Sequence, residues 1–544
     1  MFVLALPSRF PLRFLIALLL GALHAASFID DTTWPLEIAA LTGLVALASQ
    51  AAREVAGPRG TRRAAWGGAR VGFGFGLGWF LVGVSWIYIS LHTYGEMPAP
   101  IAGAAIFLFC AYLAIYPALA TAAFAAFRHW RGSAARSFQA ASIAWFAGAW
   151  TLSEFGRGYI FTGFPWLASG YAHVGGPLAG YAPIVGVYGV TLIAAAIAAA
   201  VAMAAARVRG ARSSLVLTVV LVVGLPLAGA WLRPVRWTEP NGAPIGVRLL
   251  QGNVAQDIKF DESRFAETSE AYLAAIESRR ADLIVLPETA FPVLLTDLPE
   301  EIGQRLAHDV VDRKTEIAFG IPIDEGHDRY FNSVIAIGPQ KSAAAKASSD
   351  DGDPLARVRS QRYDKSHLVP FGEFIPLGFH WFVRLMKMPL GDFTRGASTQ
   401  RPMSLAGLKI AFNICYEDLF GEEIIRQLPE ANVLINVSNV AWFGDSMALP
   451  QHLDISRMRS IETGRPMLRA TNTGMTASID PHGHVIALLA PFTAGSLDVD
   501  VQGMTGATPF VRFGNASAFV LAWLLLAGAV SFTRRTVRPV VRSA

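Results

Sequence analysis

Three side chains of this protein are of the types that nucleophilic acyl chemistry needs, and each lies in or beside an apolar run. Cys415 ends the run Ala411-Phe-Asn-Ile-Cys415, with Glu417 and Asp418 directly after it and a helical pattern over Glu422–Leu428. A cysteine at a strand-to-helix junction lies near the positive end of a helix, where the thiolate is favoured. The only other cysteine, Cys110, sits in a very apolar segment, so Cys415 is expected to have no disulfide partner in its own domain. A buried structural cysteine is the alternative reading. Glu288 closes Leu283-Ile-Val-Leu-Pro-Glu288. A carboxylate at the mouth of an apolar strand loses hydration, so its pKa is expected to rise toward that of a useful base; the alternative is a surface glutamate just past a strand. Lys365 and Glu373 flank the turn Pro370-Phe-Gly372, and Leu368, Val369 and Phe371 predict partial burial of the lysine, which then needs a partner carboxylate. His367 is expected to be structural. A nucleophilic cysteine requires a base for its proton and a cation or donor for the oxyanion, and Glu288, Lys365 and Cys415 can fill those roles.

Other chemistries have less support. There is no G-x-S-x-G elbow. His367, His452, His482 and His484 lack metal-ligand spacing, and two cysteines exclude a disulfide framework and the usual cysteine zinc sites. The net charge is only +5 and the basic residues form no aromatic-interleaved patch, so no nucleic-acid partner is expected.

The elements that must position these residues begin at Trp237, where charge rises. Strands are expected at Ile245–Gln251, Leu283–Leu286, Ile317–Ile321, Ser333–Ile337, Lys409–Ile414, Val433–Val437, Met467–Ala470 and Ala477–Asp480. Helices are expected at Asp261–Arg280, with Asp261 as N-cap, and at Pro299–Lys314, Glu422–Leu428 and Gln451–Glu462. The alternation argues an α/β domain. The segment Ser342–Pro354 reads as a flexible polar loop.

The rest of the chain is membrane-like. Of 544 residues 53% are hydrophobic and only 16% charged, against roughly a quarter charged in soluble domains. Spans of about 20 apolar residues are expected near 10–28, 34–51, 71–92, 100–127, 138–156, 177–205, 214–232 and 514–532. Arg9 and Arg13, the group Arg53 to Arg70, Arg128 to Arg136, Arg207 to Arg212 and Arg534 to Arg542 then all fall on one side. The positive-inside rule makes that side cytoplasmic and puts the segment 233–512 across the membrane. The domains expected are 1–232 (seven spans), 233–512 (the α/β domain) and 513–544 (a last span and basic tail). The loop Phe161-Thr-Gly-Phe-Pro-Trp166 is either an interfacial aromatic belt or a lipid-facing wall of a site shared with the domain.

Taken together, Glu288, Lys365 and Cys415 resemble the triad of the nitrilase (carbon–nitrogen hydrolase) superfamily, whose fold is an αββα sandwich. Pro370–Glu373, Cys415–Glu417, Asn436–Asp445, Arg457–Pro466 and Phe161–Trp166 are similar to the membrane-bound apolipoprotein N-acyltransferases of that superfamily. The resemblance spans almost the whole chain. It implies transfer of an acyl chain from a phospholipid donor to the α-amino group of a diacylglyceryl-cysteine on a lipoprotein acceptor, at the periplasmic face of a bacterial inner membrane. No cofactor or metal is implied, and a monomer in the lipid bilayer is expected. By analogy Glu288 is the base, Cys415 the nucleophile that becomes a thioester, and Lys365 the oxyanion stabiliser. Glu373 supports the lysine, the Tyr416 backbone N–H helps hold the oxyanion, and Glu417 and Trp442 match positions near the site. Val440 stands where many relatives carry an acid, and Phe260 where a tryptophan is expected.

A membrane-tethered amidase or nitrilase would share the triad, and differs in whether water or an amine resolves the acyl-enzyme. A transporter or receptor is a third class; Glu37 and Glu154 are the main acidic candidates in the spans, fewer ionisable groups than a transport path needs.

Overall fold

The computed structural model describes residues 10–55, 59–131, 137–205, 212–339, 358–375 and 393–535. The loop Ser342–Pro354 and the basic residues Arg9, Arg136, Arg207, Arg209, Arg538 and Arg542 lie outside them. Two compact units form: 1–87 with 99–235 and 513–544, and 88–98 with 236–512. Residues 88–98 thus group with the second unit.

The first unit is helical. Its helices include Phe10–Ala26, Trp34–Arg53, Gly60–Gly83, Ala99–Arg131, Ser137–Tyr159, Ala182–Ala205 and Ala516–Arg535. Among the described residues three stretches are long and apolar enough to cross a membrane: Trp34–Arg53, Ala99–Arg131 and Pro177–Ala205. A fourth forms if Gly60–Gly83 and Ile87–Tyr94, bent by 62°, make one span. The apolar helices Pro11–Ala26, Val216–Leu232 and Ala516–Phe532 are shorter. Helix Gly60–Gly83 is built for close contact, since a Cβ at Gly72 would lie 2.4 Å from the Pro117 carbonyl and one at Gly78 2.0 Å from that of Leu18. Small residues let helix backbones approach where lipid offers no hydrophobic drive between helices. Pro117 lies inside helix Ala99–Arg131, and its carbonyl accepts from Thr121 Oγ at 2.8 Å. Glu37 and Glu154 are fully buried and partnered, by His173 Nε2 at 3.2 Å and by the Ser169 N–H at 3.0 Å.

In its described residues the second unit is two six-stranded sheets with helices outside. The first sheet has the order β12-β1-β2-β3-β4-β5 and the second β11-β10-β9-β8-β7-β6. Here β1 is Thr238–Gln251, β2 Leu283–Val285, β3 Glu316–Asp324, β4 Tyr330–Gly338, β5 Arg359–Asp364 and β6 Met403–Leu405. The rest are β7 Leu408–Ile414, β8 Val433–Ser438, β9 Met467–Thr471, β10 Ala477–Ile479, β11 Val485–Leu488 and β12 Gly495–Gly506. The strands β1, β2 and β3 run parallel, as do β7, β8 and β9.

Period-two alternation sorts the side chains. Leu283 and Val285, Val334 and Ala336, Ile410 and Phe412, and Val433 and Ile435 point between the sheets. Ile284, Ile317, Phe319 and Ile335 point outward under helices Glu262–Ser278 and Glu300–Asp312. Ala411, Leu434 and Met467 pack with Leu453 of helix Ala448–Thr463 on the other side. This is the αββα layering. Asp261 caps its helix as expected, accepting from the Ser263 N–H at 2.9 Å.

Four strands were not expected. The sequence of β5, Arg-Ser-Gln-Arg-Tyr-Asp, carries little apolar signal because it is an edge strand. In β12 the alternation Leu497, Val499, Val501 is present, and β6 and β11 are too short to stand out.

Gly320 on β3 is where this packing leaves no room. An added Cβ would lie 2.4 Å from Thr289 N and 2.7 Å from Glu288 Cα. Those are backbone atoms, which cannot swing aside. Gly320→Ala is expected to cost about 1–3 kcal/mol by overpacking and to displace Glu288. A thermal unfolding midpoint unchanged in detergent would refute this.

Candidate active site

The candidate residues collect where strands of both sheets end. Glu288 lies just beyond β2, Lys365 directly after β5, Cys415 directly after β7 and Asn439 directly after β8. Because β2, β7 and β8 lie in parallel arrays, their carboxyl ends form an edge, the usual place for a ligand site in such sheets. Three of these four loops contain a non-glycine residue in the left-handed region: Thr289 (φ 49°), Phe371 (φ 62°) and Cys415 itself (φ 53°). Such conformations cost of order 1–3 kcal/mol each and persist only where surrounding bonds fix them.

Those bonds are specific. Lys365 Nζ donates to Glu373 Oε1 at 2.8 Å and to Glu288 Oε1 at 3.2 Å. The side-chain amide of Asn332, on β4, donates to both carboxylates at 2.8 Å. The other Glu288 oxygen accepts from the Asn439 N–H at 2.8 Å, a bond from the second sheet to the first. Lys365 is 2% exposed and Glu288 6%. The lysine burial expected from its apolar neighbours is therefore present, with two carboxylates rather than one.

Cys415 is part-exposed within an otherwise buried stretch. It does not open a long helix: a single 3₁₀ turn, Cys415–Leu419, follows it. Glu417 ties this elbow to the lysine loop. It accepts from the Ile414 N–H at 2.7 Å and the Tyr363 hydroxyl at 2.9 Å, and from the N–H groups of Ser366 at 2.6 Å and His367 at 3.1 Å. Asp418 anchors the elbow from behind. It accepts from His452 Nε2 at 2.9 Å, Ser456 Oγ at 2.5 Å and Arg469 at 3.1 Å. The Cys415 carbonyl accepts from the Asn436 side chain at 3.1 Å.

The electrostatics correct two expectations. Burial pushes Glu288 up, but Lys365, Asn332, Lys259 and the Asn439 N–H outweigh it and hold the carboxyl below its ordinary value. Burial and then the charge of Glu288 push the Cys415 thiol up, and Lys365 only partly offsets them. The short turn offers little of a helix's positive end, and two carboxylates face the sulfur. The two shifts run in opposite directions: the surroundings favour the charged form of Glu288 and the neutral form of the Cys415 thiol. Burial works against the Lys365 charge, but Glu288 and Glu373 raise its pKa above the ordinary value and keep it cationic.

The remaining candidates are placed as follows. Tyr416 is 7% exposed, with its ring edge-on to Phe420. Burial pushes Glu417 above its ordinary value, partly offset by the Ile414 and His367 N–H groups. Trp442 meets residues 88–98: its carbonyl accepts from Ser90 Oγ at 2.7 Å and its ring stands edge-on to Tyr94. Val440 is 2% exposed and packs on Gly474, whereas Phe260 is 59% exposed. His367 pairs with Glu423 at 3.2 Å and stacks on Phe420, a structural role. The sequence reading missed Asn332, Asn439, Tyr363 and Lys259. A polar Asn332 inside the apolar run of β4 was the one local signal. Among the described residues no group of three or more His, Cys, Asp or Glu side chains could hold a metal ion.

Residues 246–510 match the carbon-nitrogen hydrolase family and residues 20–200 the apolipoprotein N-acyltransferase N-terminal domain. The chain is 49% identical to the apolipoprotein N-acyltransferase of Ralstonia nicotianae, over 96% of this chain and 93% of that protein. It is 43% identical to that of Nitrosomonas europaea over 85% and 88% of the two chains. It is 41% identical to that of Bordetella bronchiseptica over 95% and 96%.

The Asp418 anchor can be tested by stability. Asp418 and Arg469 are 0% and 1% exposed, so Asp418→Asn leaves a buried guanidinium without its counter-charge. That is expected to cost about 3–5 kcal/mol. Arg305→Ala breaks pairs to the exposed Glu270 and Glu277 and should cost about 1 kcal/mol or less. Burial raises the Asp418 pKa, but His452 and Arg469 outweigh it and hold the group below its ordinary value. Its stabilisation is therefore present above the unfolded aspartate value and lost as pH falls toward the folded one. Equal losses in the two variants, in detergent unfolding, would refute the anchor.

Proposed function

Because the chain belongs to the apolipoprotein N-acyltransferase family, we propose that it moves an acyl chain from a phospholipid to the α-amino group of a diacylglyceryl-cysteine on a lipoprotein, through a thioester on Cys415. The observation that carries this reading is the convergence of Glu288, Lys365 and Glu373 at the strand ends that also bear Cys415.

The steps follow from the charges. Glu288 takes the thiol proton as the sulfur attacks the ester carbonyl carbon, and the carbonyl electron pair moves onto oxygen. Lys365 stabilises that oxyanion, and Glu373 holds the lysine in place. Collapse breaks the carbon–oxygen ester bond, and Glu288 returns the proton to the leaving glycerol oxygen. The lipopeptide amine then attacks the thioester carbon, Glu288 takes the proton from its nitrogen, the carbon–sulfur bond breaks as the amide forms, and Glu288 returns that proton to sulfur. The depressed Glu288 pKa supports this role, since a base already ionised need only move one proton during attack. Tyr416, on the turn after the nucleophile, and Glu417, bracing that turn, support the oxyanion pocket.

A soluble amidase needs no apolar helical unit, so the helices favour lipid substrates over small amides. The enzyme is read as a monomer of the bacterial inner membrane with about eight spans, 1–232 carrying seven and 513–544 the last. Residues 233–512 then face the periplasm. The apolar helices and the one-sided arginines support that orientation.

Two experiments test the reading. Enzyme incubated with phospholipid alone should gain one acyl group on Cys415, seen by intact mass, and diacylated lipopeptide should clear it. Cys415→Ala should gain none, Glu288→Gln should block adduct formation, a loss of about a hundredfold or more as expected for general-base loss, and Cys110→Ala should behave as wild type. Clearance by water as fast as by lipopeptide would favour a hydrolase instead. Reporter fusions at the Arg59 loop and at Ser342–Pro354 should report opposite compartments, and a shared compartment would refute the topology.

A further inference from the structure

Lys259 lies in the loop between β1 and helix Glu262–Ser278 and is only 6% exposed. Its Nζ donates to the Glu288 carbonyl oxygen at 3.1 Å. The next residue, Phe260, is 59% exposed. The loop therefore turns a lysine inward and a phenylalanine outward, the reverse of what each side chain prefers. Burying an ammonium costs several kcal/mol unless anions face it. The groups that face Lys259 are the Glu288 carboxylate and Cys415. The charged neighbours on its own loop, Asp257 and Asp261, are exposed.

A charge count shows what it does there. Glu288 and Glu373 both bond the single ammonium of Lys365, so two carboxylates share one cation. Lys259 is the second cation acting on Glu288; Arg469, which also acts on Cys415, is paired with Asp418 at 3.1 Å. When the thiol proton moves to Glu288 and the ester oxygen takes the carbonyl electron pair, negative charge leaves Glu288 and appears on substrate. Glu373 still engages Lys365, and the new oxyanion needs a second positive charge nearby.

We propose, resting on the acyl-transfer reading above, that Lys259 is a positioning residue of the reaction: it fixes Glu288 through the main-chain carbonyl and supplies the second positive charge that balances the thiolate and the oxyanion. It forms no bond to substrate. The proton path is unchanged, from sulfur to Glu288 to the leaving oxygen.

The role brings a pH dependence. Burial lowers the Lys259 pKa to about 8, with Glu288 and Cys415 partly offsetting it. Below that value Lys259 is charged and acylation proceeds; as pH rises through it, the second cation is lost and the rate falls.

The test uses full-length enzyme in detergent with two readouts: acyl-adduct formation from phospholipid across the pH range, and alkylation of Cys415 by iodoacetamide near neutral pH. Lys259→Met is expected to slow both about tenfold, one pKa unit of lost charge stabilisation, and to lack the alkaline fall. Lys259→Arg, charged throughout, should keep acylating above the wild-type limit. Lys259→Met matching wild type in both rates would overturn the proposal. So would a slowed Lys259→Met that retains the alkaline fall, because that is a purely structural defect. Should Lys259→Met fail to fold, a wild-type rate that stays level well above pH about 8 overturns it. Absence of any wild-type adduct would sink the acyl-transfer reading instead, and the alkylation rates alone would then decide Lys259.

Discussion

A positive charge kept dry between two sheets sets the terms for this site. Desolvating an ammonium such as that of Lys365 costs several kcal/mol, so it stays charged only because Glu288 and Glu373 close on it. Those carboxylates need donors in turn, and Asn332 and the Asn439 N–H provide them. Each donor comes from a different strand. The arrangement therefore exists only when β4 begins, and β8 ends, at the same edge where β2 and β5 end. Removing one member would strand a buried charge, which is why so many polar groups are packed into a core otherwise made of valine, isoleucine and leucine.

The Cys415 turn depends on the same logic. Cys415 adopts a left-handed backbone conformation that a residue with a Cβ avoids. Glu417 and Asp418 hold it there from two sides, one bonded to the lysine loop of the first sheet, the other to helix Ala448–Thr463 and β9 of the second. Acids next to a cysteine in sequence would be read as exposed helix-start residues. In the fold both are buried, and they act on the thiol by fixing where the turn goes. Burial first, and then the charge of Glu288, raise the thiol pKa, so the fold that fixes this turn also disfavours a resting thiolate.

The alternation of apolar residues, the Asp261 cap and a cysteine with no disulfide partner in its own domain were legible without coordinates. Strand faces follow from period two, so the inward pattern of Leu283 and Val285 and the outward one of Ile284 could be expected from neighbours in the chain. The types of Glu288, Lys365 and Cys415, each beside an apolar run, carried the chemistry, and Asp261 marked a helix start. The helical unit was legible as apolar runs. What those runs do in pairs was not: the contact of Gly72 with the Pro117 carbonyl depends on helix register.

Tertiary structure alone decided which groups face one another, and so which way each pKa moved. Local sequence predicts desolvation of Glu288 but not the two ammoniums and two amide donors that reverse its effect, because they lie dozens of residues away. Asn332, Asn439, Tyr363 and Lys259 stay invisible for the same reason: a polar residue at a strand end or in a loop has no assigned partner until strand order brings distant segments together. Residue type is fixed by the chain, whereas Coulomb energy depends on distance, and distance between remote residues is a property of the fold.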